Sequence, residues 1–388
     1  MILTQCAVCA TELGLSSGKK CGRCSTRYCG AECQVQHWKE GGHDKLCKLI
    51  KKAGGAEQYN ANNKYAESVA VAAEACAEDT KGQTCYICTQ ALHWKTKEGL
   101  VRGCSCRGTA GVAHVSCLAE QAKILVAEAE ENNLGVETRN KRFERWYTCS
   151  LCEQNYHSFV LCALGWACWK TYVGRPEENV FRLTAMRQLG VGLHAAEHYE
   201  DAASVKEATL AMMRRAESSE TDQLMTLGNL AGTYEKLGRC EEALSMRRDI
   251  YSGLLELFGA QHVHTISAAI NYAATLNDLE HFAEAKPLFR KLIPVARRIF
   301  GASHDTTLRL MGWYAQTLYN DSGATLDELR EAVTTLEETE PTARRVLGGA
   351  HPITSVMEED LRDARAALRA REGDKVSCVC AGVASMSA

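Results

Sequence analysis

The sequence predicts a mainly α-helical chain: two small metal-stabilised modules followed by a solenoid of paired helices. Three observations lead there. Sixteen Cys and His residues fall into two ladders of eight, within 6–47 and 85–152. A pattern of small and large apolar residues returns every 42 residues from Leu227 onward. The length of 388 residues and only five prolines leave room for two to four packed domains and little for long disordered tracts.

The 20 cysteines could signal a secreted disulfide scaffold. The N-terminus argues otherwise, because Met1–Leu3 leads at once to Thr4, Gln5 and a Cys pair with no apolar signal stretch. The most apolar run, Phe159–Trp169, is too short to span a bilayer, so no membrane partner is expected. The expected setting is intracellular, cytoplasmic and/or nuclear, where thiols stay reduced and closely spaced pairs mean metal. The net charge is −3, and it becomes more acidic when ligand thiols bind as thiolates. That balance excludes a general nucleic-acid role. Residues 1–52 are locally basic, nine Lys/Arg against four Asp/Glu, and read as a solvated surface.

The first ladder is Cys6, Cys9, Cys21, Cys24, Cys29, Cys33, His43 and Cys47. A segment of about 45 residues cannot bury enough apolar surface to fold alone. Structural zinc contributes about 10–16 kcal/mol per site and can replace the missing core. His43 and Cys47, at i and i+4, share one face of a helical turn. The strings CAVC, CGRC, YCGAECQ, HW and H-DKL-C resemble the MYND zinc finger. That resemblance implies interleaved, cross-brace pairing: Cys6, Cys9, Cys29 and Cys33 on one ion, Cys21, Cys24, His43 and Cys47 on the other. It also implies recognition of short proline-containing peptides. Two residues, Gly41-Gly42, lengthen the usual spacing before His43. Tyr28 and Trp38 are expected to form the small apolar centre, with His37 packing beside Trp38.

Residues 53–84 form a linker in which Lys64–Lys81 predicts an Ala- and Glu-rich helix. Val69, Ala72, Ala73 and Cys76 share one face, with Cys76 as a buried small residue. Gly54-Gly55 and Gly82 mark the ends.

The second ladder is Cys85, Cys88, Cys104, Cys106, His114, Cys117, Cys149 and Cys152. Two folds use ligands in this order, the PHD finger and the RING-CH (RING-variant) family. Seven residues before the His, the Cys-x-Cys pair, CSCRGTAGVAHVSCL and WYTCSLCEQNY resemble RING-CH over 85–156. The resemblance implies Cys85, Cys88, His114 and Cys117 on one ion and Cys104, Cys106, Cys149 and Cys152 on the other, hence four Zn²⁺, two per module. The insert starts as a helix, Leu118–Glu131, and ends in the basic stretch Arg139–Arg145. Ser158–Tyr172 follows as an apolar helix packing this module onto the next domain. A fifth metal site from His157, Cys162 and Cys168 is the less favoured reading of that segment.

From 180 to 371 the chain repeats. Leu227, Leu230, Ala231, Tyr234 and Ala243 return as Ala269, Tyr272, Ala273, Leu276 and Ala285, then as Met311, Tyr314, Ala315 and Leu318. Ala332 continues the series after a five-residue insertion, and a shorter unit fits Met186, Leu189, Gly190, Leu193 and Ala202. Small residues alternating with large ones over two helices resemble tetratricopeptide (TPR) repeats, and the recurring FG-x2-H-x2-T resembles the kinesin-light-chain type. Fold class thus reads as two small cross-brace zinc modules and an α-helical TPR solenoid. His262, His304 and His351, which follow each Gly, are helix-connection residues rather than ligands. Ser355–Arg371 is a final capping helix, and 372–388 is expected to be a flexible tail.

Most RING-CH modules are ubiquitin ligases, and that resemblance implies a ligase acting by positioning a charged conjugating enzyme, with no catalytic nucleophile of its own. Ile87 occupies the usual docking position, Leu118 sits beside it, and Gln121 stands where a tryptophan is common. Glu153 replaces the arginine that many RING ligases use. Substrates would be recruited by the TPR groove and MYND finger. The alternative is a non-catalytic adaptor gathering protein partners through the same modules. No SET-like motif, P-loop or hydrolase triad stands out. Metal loss through Cys149→Ser is expected to melt 85–156 and leave the repeat helices largely intact.

Overall fold

The computed structural model describes residues 6–9, 11, 13, 18–349 and 351–385, with side chains for all of these but 352 and 374–385. The first five residues, the side chains of Cys378 and Cys380, and the last three residues of the expected tail lie outside that description. The fold is mainly α, with fifteen α-helices among the described residues. The chain divides into two compact units, Met1–Leu237 and Gly238–Ala388.

Unit 1 opens with little regular structure, because cysteine knuckles and glycines leave no room for long elements. Strand β1 (Lys19–Lys20) pairs antiparallel with β2 (Arg27–Tyr28). Helices α1 (Ala31–Lys39) and α2 (His43–Ala53) follow. Gly54, at φ 102°, closes α2 in a left-handed conformation that a side chain would strain. Helix α3 spans Ala56–Ala75, beginning one residue after the Gly pair rather than at Lys64. Asn and Tyr at 59–65 weaken the sequence signal there, and packing against a later helix outweighs propensity. Val69, Ala72 and Cys76 are buried, and the Cys76 thiol is 3.6 Å from the Arg102 carbonyl.

Helices α4 (Val115–Glu131) and α5 (Val136–Phe143), with a 3-10 turn at Glu144–Trp146, make the insert of the second module. Helix α6 spans Ser158–Tyr172. It is apolar all round, as a helix enclosed by protein must be. Val160, Leu161, Ala163 and Leu164 complete the core around Cys85, Val101, Val112 and Cys149. Trp166, Ala167, Cys168, Trp169 and Tyr172 join a second core with Phe143, Trp146, Phe181, Ala185 and Leu189. The helices that supply this second core include α7 (Val180–Ala195) and α8 (Tyr199–Arg215); α9 (Glu220–Lys236) ends the unit. Cys162 and Cys168 are spent as buried apolar residues of α6, and burial pushes both thiols far up.

The second module and the first repeat helices therefore share one apolar core. Metal loss at Cys149, expected to leave the repeat helices largely intact, therefore bears on the core that the first of them share with the zinc module. Only unit 2 has a core that contains no zinc-module residue.

Unit 2 holds α10 (Cys240–Phe258), α11 (Val263–Asp278), α12 (Phe282–Ile299), α13 (Asp305–Asn320), α14 (Leu326–Leu347) and α15 (Pro352–Ser385). Ala269, Ala273, Ala285, Ala315 and Ala332 let helices approach, while Leu276, Phe289, Leu308 and Leu336 fill the spaces between. The inserted residues after Asn320 are pinned by Lys286, whose ammonium lies 2.7 Å from Asp321 and 2.9 Å from Glu328. Helix α15 runs on to Ser385, past the position where a flexible tail was expected to start. Gly373 and Gly382 each cost only about 1 kcal/mol in a helix, and no proline follows Pro352 to stop it.

The FG-x2-H-x2-T signature has a local cause. His262, His304 and His351 cap α11, α13 and α15, their Nδ1 atoms accepting from the amides of His264, Thr306 and Ile353 at 3.2–3.3 Å. Phe258 stacks on His262 at 4.4 Å and Phe300 on His304 at 5.3 Å, which fixes each ring. Thr265 and Thr307 then donate to carbonyls of the preceding helix, Leu254 and Ala296. Replacing His304 by alanine should lower the stability of unit 2 by about 1 kcal/mol, and asparagine should restore most of it. Urea unfolding followed by circular dichroism checks this.

Candidate metal centres

Four knuckles present the ligand pairs, and their shared backbone explains the spacing. In Cys21–Cys24, Cys85–Cys88 and Cys149–Cys152 the first cysteine amide donates to a carbonyl five residues on, and its own carbonyl accepts from the residue four on. That last residue, Ser25, Thr89 or Glu153, has a positive φ of 56–62°. The turn aims both sulfurs the same way. Amides of Ile87 and Leu151 also point at the first sulfur of their knuckles, at 3.4 Å, which favours thiolate.

The structure brings the sixteen predicted residues into four groups: Cys6, Cys9, Cys29 and Cys33; Cys21, Cys24, His43 and Cys47; Cys85, Cys88, His114 and Cys117; Cys104, Cys106, Cys149 and Cys152. Within each group all ligand atoms lie within 4.8 Å of one another. A zinc tetrahedron with sulfurs at about 2.3 Å has edges of about 3.8 Å. Cys9–Cys29 at 3.5 Å, Cys33–Cys9 at 3.7 Å, Cys106–Cys149 at 3.8 Å and Cys21–Cys47 at 3.9 Å fit that size. His43 faces its group through Nε2, 3.4 Å from Cys24, and His114 through Nδ1, 3.3 Å from Cys88. The other His114 nitrogen lies 3.4 Å from the Ala91 carbonyl, which orients the ring.

Proton chemistry points the same way. The Thr11 hydroxyl at 3.0 Å helps draw the Cys9 thiol down to about 6, while burial pushes Cys47 and Cys106 up to about 11. Crowded thiols without a counter-charge cannot all ionise. A divalent cation lets every one bind as thiolate, and donor sets of three or four sulfurs suit zinc.

Tyr28 is the fully buried centre of the first module, its hydroxyl 3.0 Å from His37 Nδ1 and its ring against His43. Trp38 edges that centre, its ring centroid 5.6 Å from that of His43. It is 46% exposed, because α1 buries none of its residues and lies on the surface.

Of the three expected docking residues, Ile87 is exposed and Gln121 is half-buried on α4. Leu118 is only 4% exposed and packs inside with Val115 and Val160, so it offers no surface contact. Leu151 is a further exposed leucine that ligand spacing alone does not single out. It is 51% exposed, and it holds the same place in the last knuckle as Ile87 in the first. The Tyr86 hydroxyl meets the Ser150 hydroxyl at 3.1 Å, tying the two knuckles side by side.

Family models match three segments: the MYND finger over residues 6–47, the RING-variant domain over 85–152 and the tetratricopeptide repeat over 222–298. No match was found among curated proteins. Two solved structures show the chain's looser likenesses. One is a Podosopora anserina putative kinesin light chain with nearly identical TPR-like repeats, at 16% identity and TM-score 0.40, covering 60% of this chain and 97% of that one. The other is BtubC (BKLC) from P. vanneervenii, at 11% identity and TM-score 0.40, covering 68% and 90%. No helix among the described residues is long and apolar enough to cross a membrane. The chain is a zinc-binding, multi-domain protein-interaction protein that carries a MYND finger, a RING-variant domain and tetratricopeptide repeats.

Proposed function

We propose that this chain is a RING-CH-type ubiquitin ligase holding four zinc ions in the four groups described above. The observation that carries the reading is the pair Ile87 and Leu151, exposed on adjacent knuckles that Tyr86 and Ser150 join. A shallow apolar patch between two zinc loops is what a conjugating enzyme needs for docking. The module then supplies no nucleophile and acts by holding the thioester in a reactive geometry. The repeats and the MYND finger bring the protein substrate to that face, raising its local concentration. Eighteen described cysteines, none in a disulfide, agree with a reducing cytoplasmic or nuclear setting.

A second reading, an adaptor without ligase activity, is favoured by Gln121 and Glu153. Glutamine offers α4 less apolar surface than a tryptophan would, and Glu153 sits at φ 56° with a charge opposite to arginine. Self-ubiquitination with a panel of conjugating enzymes separates the two. Ile87→Ala and Leu151→Ala should each cut the signal at least tenfold, since truncating a central apolar anchor costs about 2 kcal/mol. Zinc content should be unchanged. Absence of signal with every conjugating enzyme would leave the adaptor.

A further inference from the structure

Unit 1 contains a cavity of about 800 Å³ lined by none of the zinc ligands, by neither Ile87 nor Leu151, and by no residue of α7, α8 or α9. It opens between residues 93–96 of the RING-variant module, α3 of the linker, the start of α4 and the last turn of α6. Its walls are tied to one another. The Gln58 amide of α3 donates to the Lys170 carbonyl of α6 at 3.0 Å. The Tyr65 hydroxyl of α3 meets the Ser116 hydroxyl of α4 at 2.9 Å. The opening is therefore formed in advance, and a guest need not organise it.

Three features say what fits there. First, the charge is one-sided: Lys95, Lys123 and Lys170 line the cavity against the single carboxylate of Glu120. Glu120 is already paired with Lys123, at 3.4 Å. Glu98, close by, is engaged by the amide and hydroxyl of Ser116 at 2.7 and 2.8 Å and by the Thr96 hydroxyl at 3.0 Å. Lys95 and Lys170 are left with no ion pair among the described residues. Secondly, Lys170 is half-buried, its ammonium 4.3 Å from the centre of the Tyr65 ring. Burial holds its pKa below the ordinary lysine value, a cost that a carboxylate set beside it would relieve. Thirdly, Trp94 lines the same cavity and is 67% exposed, and Leu92, two residues before it, is 59% exposed. An indole standing in water at the edge of a preformed opening is the kind of side chain that anchors an interface. A densely charged phosphate ligand would meet Glu120 as well as the lysines and would leave the indole unused. A peptide that mixes carboxylates with an apolar side chain satisfies both.

We propose that this cavity is the docking site for an acidic segment of a protein partner, with its carboxylates on Lys95 and Lys170 and an aromatic or aliphatic side chain against Trp94. The inference goes beyond the ligase reading and holds equally for an adaptor. Its occupant competes for no residue with the Ile87–Leu151 patch or with the repeats.

The test uses the full zinc-loaded chain and a display library of random linear dodecapeptides. The library is first depleted on a Lys170→Met/Trp94→Ala double variant, so that peptides held elsewhere on the chain are removed before selection on the native protein. Methionine keeps a stem over Tyr65 and removes only the charge, and Trp94 is exposed, so both changes spare the fold. Selection should recover sequences with two or more Asp or Glu residues beside an aromatic or large aliphatic one. Binding of these peptides in solution should weaken at least tenfold in Lys170→Met, the scale of losing a charge-assisted hydrogen bond, and about tenfold in Trp94→Ala. Added salt should weaken it further. Zinc content and helical circular dichroism verify that each variant is folded, and Lys95→Glu, at an exposed position, replaces the double variant if that one is not. Recovery of no peptide after depletion, or of peptides without acidic residues, would overturn the proposal. So would a single-stranded oligonucleotide of mixed sequence that binds the native chain and is lost in the same variant, since the cavity would then read phosphates. Conjugating enzyme and ubiquitin are absent throughout, so failure of the ligase reading can neither produce nor hide these results.

Discussion

Cys149→Ser should release one zinc ion per chain and unfold unit 1 well beyond the module that loses it. The ligand is itself buried and lies in the group with Cys104, Cys106 and Cys152. A structural zinc site contributes about 10–16 kcal/mol, as much as the whole stability of a typical domain, about 5–15 kcal/mol. The damage cannot stop at residue 156, because α6 lends Val160 and Leu164 to the zinc-module core and Trp166 and Trp169 to the core of α7 and α8. Unit 2 keeps its own core around Ala273, Phe289 and Ala315. About half of the helical circular dichroism should therefore survive, the share carried by α10 to α15. Limited proteolysis should leave a resistant fragment starting near Gly238. Hydrogen exchange that stayed slow throughout α6, α7 and α8 after metal loss would show that these helices fold without the zinc module.

What the sequence made legible, and what it hid, follows from the range of the interactions involved. Ligand ladders are read from spacing, since each pair sits in a local turn two to four residues apart. The 42-residue period is legible for the same reason: each repeat buries the same face against its neighbour. Leu118 and Leu151 show the limit. Both are leucines beside a zinc ligand, and only the three-dimensional packing says that one is covered by Val160 while the other stands in solvent. Trp38 shows a similar limit: its ring meets His43 on one side while the other side stays exposed, a division that spacing does not reveal. The recurring histidines were placed correctly in the connections, but their capping role depends on a ring orientation set by Phe258 and Phe300 that no spacing rule reveals. The all-round apolar sequence of Ser158–Tyr172 predicts a helix packing the zinc module onto the next domain, and α6 does so, with Val160 and Leu164 in one core and Trp166 and Trp169 in the other.

In that shared core α6 and α7 come backbone to backbone at Gly192, and its substitution should have the second large effect. A Cβ built there would lie 2.8 Å from the Leu161 carbonyl oxygen and 3.0 Å from the Cys162 Cα. On the facing helix, Gly165 would place a Cβ 3.2 Å from the Leu189 Cα. Helices α6 and α7 thus touch backbone to backbone, where no side chain can swing aside. Gly192→Val should force them apart and destabilise unit 1 by about 3 kcal/mol, the upper part of the overpacking range. Gly192→Ala gives a sharper reading, because two effects oppose each other. Alanine gains about 1 kcal/mol of helix propensity over glycine. If the contact were slack, that gain would show as stabilisation. Gly228 in α9, where a Cβ meets nothing within 4 Å, supplies the comparison and should be stabilised by alanine. Net destabilisation at 192 together with stabilisation at 228, measured by urea unfolding, would establish the close approach. Stabilisation at both would mean that α6 and α7 are held by their side chains alone.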